Sequence, residues 1–346
     1  MSRDCRRRSD GGMTGTNLFH RTPFAGPMAD LPVACLDVGS RGGIEPDLLP
    51  VAFAVDAVGF EPAAAECERL NASDSGPWRS VRFIPAALAG KSGAAALHIA
   101  QNPASSSLLA PLRETADRFD KTAYSTIVGM AQVETCGLDE AVGRFGLPGF
   151  DFLKLDTEGT ELDILRSGEA AVARALGVKV EVSFVTFREG QPPARDIDGF
   201  LAERGFELMA LMAPSSWRVH GHATHPQLAG ERIPYSRGQL AHGDYLYLRH
   251  PAHLGLAALD ETENAERRIM AAWIAMAYGY FDRAEEYLAD PAVRRTFQSR
   301  WRLDPDPALR RASQVYGRAA WRGALGRQIR GLVPLLRQAR KAIFQR

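Results

Sequence analysis

Ten residues, Asp151-Phe-Leu-Lys-Leu-Asp-Thr-Glu-Gly-Thr160, put charged groups into what otherwise reads as a buried strand. A central parallel strand is covered on both faces and should be almost purely apolar. Lys154, Asp156 and Glu158 break that rule, and a charge taken out of water is expensive unless it is paired or used. Open α/β sheets bind their ligands at the carboxyl ends of their strands. The segment therefore reads as the floor of an active site, with Asp156 and Glu158 as candidate proton acceptors and no residue deciding between them. Lys154 shares a strand face with Phe152 and Asp156, and Val178-Lys-Val-Glu-Val-Ser-Phe184 carries Glu181 at a comparable depth. Lys154 is expected to pair with Glu181 or Asp156; a structural role and a role toward substrate both stay open. Glu181 and His242 stand next in line as the base.

The other half of such a site is a turn that admits a ligand to the backbone. Val33-Ala-Cys-Leu-Asp-Val38 is a short apolar, β-branched run, and Gly39-Ser-Arg-Gly-Gly43 follows at once. Gly39, Gly42 and Gly43 permit close approach and positive φ. A second apolar run, 54–60, ends in Glu61, twenty-two residues after Gly39. An acid at the tip of the second strand is placed to accept from ribose hydroxyls. The dinucleotide spacing G-x-G-x-x-G is absent, and Asp37 stands two residues before the first glycine, which suits the amino-acid end of S-adenosyl-L-methionine. A tight strand-to-helix turn with a solvated acid is the bland alternative for these residues alone.

Taken together, the motifs resemble the FkbM-type S-adenosylmethionine-dependent methyltransferase family. The matching pieces are Leu36 to Gly43, Gly59-Phe-Glu-Pro62, Ala87 to Gly93, Ser106-Ser-Leu108, Leu138-Asp139 and, most specifically, Phe152 to Leu165 with Gly168. They run in family order over about residues 31–250. The resemblance implies an α/β class I methyltransferase (Rossmann-like) fold with a mostly parallel seven-stranded sheet; it stops at Pro251, beyond which the residues themselves read as a C-terminal helical extension. It also implies cofactor binding through Asp37, Gly39, Gly42, Glu61 and Ala87, and O-methylation of a sugar, glycan or secondary-metabolite hydroxyl. Ser40-Arg41 stands where many members carry Ala-Asn. Two rival classes remain: a nucleic-acid methyltransferase, whose Asn-Pro-Pro-aromatic motif is missing, and a non-catalytic scaffold on the same fold.

The elements that would position these residues follow the same pattern. Strands are expected at 33–38, 54–60, 81–84, 151–156, 178–184, 206–212 and 244–249, and helices near 63–71, 160–167 and 195–204, an alternation that implies a mostly parallel sheet. The last two strands have no clear helix between them, which suits an antiparallel final pair. The insertion 93–138 carries short strands at Leu97-His-Ile99 and Gln132-Val-Glu-Thr135, with Ser105-Ser-Ser107 in a loop. A long exposed loop is the default reading, with an overhang above the cofactor as the alternative. The loop 213–242 holds His220, His222 and His225. No carboxylate or cysteine accompanies them at ligand spacing, so a lid or polar loop is preferred to a metal site.

Length and composition fit one large α/β domain plus an addition: 346 residues, 45% of them hydrophobic, with a net charge of +1 that gives no general nucleic-acid signal. No run approaches the length of a membrane span, and the Arg-rich opening is followed by no signal-peptide stretch, so a cytoplasmic enzyme is expected. Cys5, Cys35, Cys67 and Cys136 lack paired spacing and read as reduced thiols. Residues 1–30 are polar and aperiodic and read as a mobile arm. Beyond Pro251 the pattern turns helical, with a hairpin over 264–288 that cannot bury its own apolar face and should pack on the catalytic domain or another subunit.

From Ala308 onward the chain has nine arginines, Lys341 and no acid, while Leu325, Ile329, Leu332, Leu336 and Ile343 recur near helical spacing. Pro334 should kink or split that helix. Two readings are balanced: a basic amphipathic helix in peripheral contact with an anionic cytoplasmic membrane surface, or a helix docked on the protein; a nucleic-acid tail is a weaker third, since aromatic interleaving is limited to Tyr316, Trp321 and Phe344.

Overall fold

The computed structural model describes residues 15–147, 149–219 and 238–344, with side chains of the last helix described to residue 326. Its strands are β1 (Val33–Val38), β2 (Val55–Phe60), β3 (Ser80–Ile84), β4 (Ala87–Leu88), β5 (Gly93–Ala100), β6 (Ile127–Cys136), β7 (Phe152–Leu155), β8 (Gly177–Ser183), β9 (Phe206–Trp217) and β10 (Gln239–Arg249). They divide between a seven-stranded sheet, ordered β3-β2-β1-β7-β8-β10-β9, and a three-stranded sheet, ordered β4-β6-β5.

In the large sheet β3, β2, β1, β7 and β8 run parallel, and β10 is antiparallel to both β8 and β9. This is the mostly parallel Rossmann-like sheet with the antiparallel closing pair that the sequence predicts. Every residue of β7 is buried, as expected for a strand covered on both faces. Leu153 and Leu155 lie in one core with Leu36, Val38, Val178, Val180, Leu162 and Ile164. The insertion is not a long exposed loop: β5 and β6 form an antiparallel ladder, and β4 joins β6.

Several family-like motifs act as packing devices. A Cβ on Gly168 would lie 2.5 Å from Leu138 Cδ2. Both carboxyl oxygens of Asp139 accept backbone N–H groups of Ala170 and Ala171, at 3.1 and 2.8 Å. Leu138-Asp139 and Gly168 are therefore one joint, in which glycine admits the leucine and the aspartate satisfies orphan donors at the start of helix Glu169–Arg174.

The chain forms two compact units, and their boundaries differ from the sequence expectation. One contains Val33–Glu45 and Val55–Asp260; the other contains the described residues up to Pro32, Pro46–Ala54, and the chain from Glu261 onward. Residues 15–30 are not a mobile arm, since they form the helical turns Leu18–Arg21 and Ala25–Asp30. Phe19, Phe24 and Met28 are fully buried. Phe24 packs on Trp273 and Phe297 at centroid distances of 5.0 and 5.9 Å. These three apolar anchors hold a segment whose average composition is polar, and average composition is what the sequence reading weighed.

In the same unit, helices Glu261–Ala277 and Phe281–Leu288 make the expected hairpin. Its apolar face is covered by Phe19, Phe24, Phe297 and Tyr316, neighbours that the sequence reading did not name. The last helix runs unsplit from Pro305 to Phe344, through Pro334. At 1.5 Å per residue it is about 60 Å long.

Candidate active site

Parallel pairing places Asp37 of β1 opposite Lys154 of β7, and Lys154 opposite Lys179 of β8. Cross-strand partners project from the same face, so the register builds a row of buried charges. Lys154 Nζ lies 3.1 Å from Asp37 Oδ1, 3.6 Å from Asp156 Oδ2 and 3.4 Å from the Gly39 carbonyl oxygen. The expected Asp156 pairing is present, but the nearer partner is Asp37 and not Glu181, because register brings β1 alongside. Burial alone would push the ammonium down; Asp37, Asp156 and Glu45 more than reverse this and hold it protonated. Lys179 is likewise shared, 3.3 Å from both Glu45 and Asp244.

The glycine turn joins this row to the tip of β2. Gly39 adopts φ +83°, and a Cβ there would lie 1.9 Å from the Asp156 carbonyl oxygen. Only glycine lets the turn press against the end of β7. The Gly39 and Ser40 N–H groups both donate to the Phe60 carbonyl, at 3.0 and 3.1 Å. Gly42, at φ +85°, donates its N–H to Glu66. Asp37 Oδ2 accepts the Glu45 N–H at 2.7 Å, so this carboxylate is committed to the turn and to Lys154. Ser40 Oγ is buried without a hydrogen-bond partner among the described residues.

Glu61 directly follows β2 and is buried, with Oε1 accepting the Ala63 N–H at 2.9 Å. Burial pushes its carboxyl up, against that hydrogen bond and the attraction of Arg41. Ala87 is buried on β4. The nearby Ala86 N–H and the Glu61 N–H donate to the same carbonyl, that of Ile84.

Beyond β7 the chain turns sharply. Glu158 has a left-handed backbone, φ +62°, a conformation that persists in a non-glycine residue only where its surroundings fix it. Arg188, itself buried, donates to Glu158 Oε2 at 2.5 Å and to the Ser105 carbonyl at 2.8 Å. Ser107 Oγ donates to the Glu158 carbonyl at 2.8 Å. The serine loop of the insertion thus straps the turn down. Glu161, which the sequence reading missed, collects the N–H groups of Thr157 and Gly159 at 2.8 and 3.0 Å. Its signal was local: an acid opening a helix, Glu161–Arg166, straight after a Gly-Thr turn.

Asp156, Glu158 and Glu181 each place a carboxylate oxygen within 4.8 Å of the others. Burial, then repulsion from Glu181, pushes Glu158 well up despite Arg188. Burial, then Asp156, Glu161 and Asp244, does the same to Glu181. Each carboxylate has a basic neighbour: Lys154 for Asp156, Arg188 for Glu158, and His242 for Glu181, whose Nδ1 is 3.2 Å from Oε1. Asp156 is the most open, with 42% of its side chain exposed. Such an edge can hold protons and attract a cationic ligand. The histidines at 220, 222 and 225 lie outside the described residues. Cys35, Cys67 and Cys136 are buried free thiols.

Residues 48–208 match the methyltransferase FkbM domain. The matched stretch begins after β1, so the glycine turn lies outside it, and the assignment of that turn rests on its geometry. The chain is also 27% identical over 157 residues to the 2-O-methyltransferase NoeI of Sinorhizobium fredii (strain NBRC 101917 / NGR234). That alignment covers 44% of this chain and 62% of the relative's length.

Proposed function

We propose that the chain, whose residues 48–208 match the methyltransferase FkbM domain, transfers a methyl group from S-adenosyl-L-methionine to a hydroxyl of a sugar, glycan or secondary metabolite. One observation carries the proposal. The missing Cβ of Gly39 beside the Asp156 carbonyl merges the glycine turn and the carboxylate strand end into one site. The residues fit that cofactor. Gly42 leaves the backbone open, and Ser40 Oγ is an orphaned buried donor. Glu61 offers a carboxylate for the ribose hydroxyls, and Ala87 follows Ala86, whose N–H donates to the same Ile84 carbonyl as the Glu61 N–H. The carboxylates around Asp156 outnumber Lys154, Lys179 and Arg188, a balance that suits a cationic sulfonium and ammonium.

When bound, the cofactor supplies an electrophilic methyl group on a neutral leaving thioether. The protein's part is to align the acceptor, exclude water and accept a proton. Lys154 holds Asp37 and Asp156 in register at the donor side. Asp156, the most open of the three carboxylates, would be the one that meets the bound ligands, and Arg188 fixes Glu158 beside it. The name of the Sinorhizobium relative supports oxygen as the methylated atom.

Among the described residues no helix is long and apolar enough to cross a membrane. A peripheral contact through the last helix is the second reading. Beyond Ala312 no described residue of that helix is buried. Trp321 and Leu325, one turn apart, are 66% and 42% exposed among arginines. These features favour an interfacial helix over a docked one.

The test of the main reading is calorimetry with S-adenosylmethionine, followed by transfer of labelled methyl into the glycan and metabolite extract of a strain lacking the gene. Absence of binding would overturn it.

A further inference from the structure

The proton of an acceptor hydroxyl needs a destination, and the carboxylates at the edge are already engaged by Lys154 and Arg188. His242 is placed differently. On the β9–β10 ladder Leu240 pairs with Ser216, His242 with Ser215, and Asp244 with Met212, so the register slips on both sides of the histidine. The second slip contains Ala213, a non-glycine residue at φ +44°. A Cβ on Gly243 would lie 2.9 Å from Leu211 Cδ1 and 3.0 Å from the Met212 carbonyl oxygen, so glycine is what admits the bulged strand there. Bulges re-aim side chains and gather beside active sites.

The re-aimed ring reaches across to β8. Its Nδ1 lies 3.2 Å from Glu181 Oε1, and its faces and edges meet Trp217 and Phe187 at centroid distances of 5.6 and 6.2 Å. Nε2 makes no hydrogen bond among the described residues, and 27% of the side chain is exposed. An imidazole whose Nδ1–H is held by a carboxyl group presents Nε2 as a base.

We propose that His242, oriented by Glu181, takes the proton from the acceptor hydroxyl; the inference rests on the methyltransferase reading above. The hydroxyl proton passes to Nε2 while an oxygen lone pair forms the new O–CH3 bond. The methyl–sulfur bond breaks with its electron pair on sulfur, and the imidazolium later returns its proton to water. Burial is the largest influence on the ring and pushes it below its ordinary value. Glu158, Asp244 and Asp156 pull the other way, and Lys121 adds to the lowering. The ring is therefore neutral at pH 7 and able to accept a proton. Glu181, raised by burial and by Asp156, Glu161 and Asp244 against Arg188, keeps a lone pair for Nδ1–H whether or not it is protonated.

Two measurements test this. In nitrogen-15 NMR of the full chain at pH 7–8, with the signal assigned by its loss in His242→Gln, Nδ1 should carry the proton and Nε2 should be bare. Glu181→Gln should keep that tautomer, because the amide oxygen still accepts. A proton on Nε2 with bare Nδ1 overturns the proposal. In the labelled-methyl assay, His242→Gln should bind S-adenosylmethionine like the wild type in calorimetry. Its transfer should fall by about 10²- to 10⁴-fold, with loss of the acidic limb of the rate profile. Wild-type transfer by that variant overturns the proposal as well. A wild-type chain that binds no S-adenosylmethionine overturns the underlying reading instead, so the two failures are told apart.

Discussion

Lys154 of β7 and Asp37 of β1 sit opposite each other across paired parallel strands, Nζ 3.1 Å from Oδ1, with both side chains almost wholly buried. The pair locks the end of the active-site strand to the residue that begins the glycine turn. Removing one member leaves the other as an uncompensated buried charge, which costs about 3–5 kcal/mol.

Lys154→Met should therefore lower the free energy of unfolding by about that amount in urea titration. Adding Asp37→Leu to it should recover part of the loss, since neither charge is then stranded. A single variant as stable as wild type would remove Lys154 from the structural role. Equal stability of single and double variants would mean that Asp37 is satisfied by the Glu45 N–H without it.

Glu61 offers a cleaner probe of cofactor binding than the glycine turn, because Glu61→Gln keeps an oxygen for the Ala63 N–H while removing the charge. A hydrogen bond to a charged group is worth about 1.5–3 kcal/mol. Calorimetric affinity for S-adenosylmethionine should fall at least several-fold, with the melting temperature no lower than that of the wild type. Burial raises the wild-type carboxyl, so wild-type affinity should also weaken as pH falls through that raised value, and the Gln variant should lack this dependence. Unaltered affinity would take Glu61 out of the site.

How far these residues were visible in the sequence depended on the range of the interaction. Strand periodicity located β1, β2, β7 and β8, and the charged strand end marked Lys154, Asp156 and Glu158, because both signals are local. Pairing is not local. Asp37 faces Lys154 only because β1 lies beside β7, a register that hydrophobic pattern alone leaves free. Arg188 and Ser107 converge on Glu158 from segments that are distant in the chain. His242 owes its aim to bulges, which sequence alternation does not reveal. Residues 15–30 were misread because three buried anchors, Phe19, Phe24 and Met28, are diluted among polar neighbours.

The buried carboxyl of Glu181 makes stability depend on pH in a definite direction. Its folded value is raised above the ordinary carboxylate range. Below about pH 4.5 both folded and unfolded forms are protonated and nothing is lost. As pH rises toward the folded value, the unfolded chain ionises first and stability declines. Glu181→Gln removes that decline while its amide oxygen still accepts from His242. The variant should match wild type in melting temperature near pH 4 and exceed it at pH 7–8. Identical curves across the range would mean that Glu181 ionises freely in the folded protein.

The last helix leaves Trp321 and Leu325 exposed on consecutive turns and carries an unbroken excess of arginine toward its end. Each basic residue near an anionic surface contributes about 1 kcal/mol, and the attraction is screened within a Debye length of about 8 Å at physiological salt. The full chain should bind vesicles containing phosphatidylserine in low salt and leave them in high salt, and Trp321 fluorescence should shift to the blue on binding as the indole leaves water. Trp321→Ala with Leu325→Ala should weaken that association without altering the melting temperature, because neither side chain is buried in the protein. A chain shortened after residue 316 keeps Tyr316 against Phe19 and Phe281. It should stay folded, bind cofactor and ignore vesicles. If that truncation unfolds the protein or splits an oligomer, while the full chain shows no affinity for anionic vesicles, the helix serves assembly and the membrane contact is wrong.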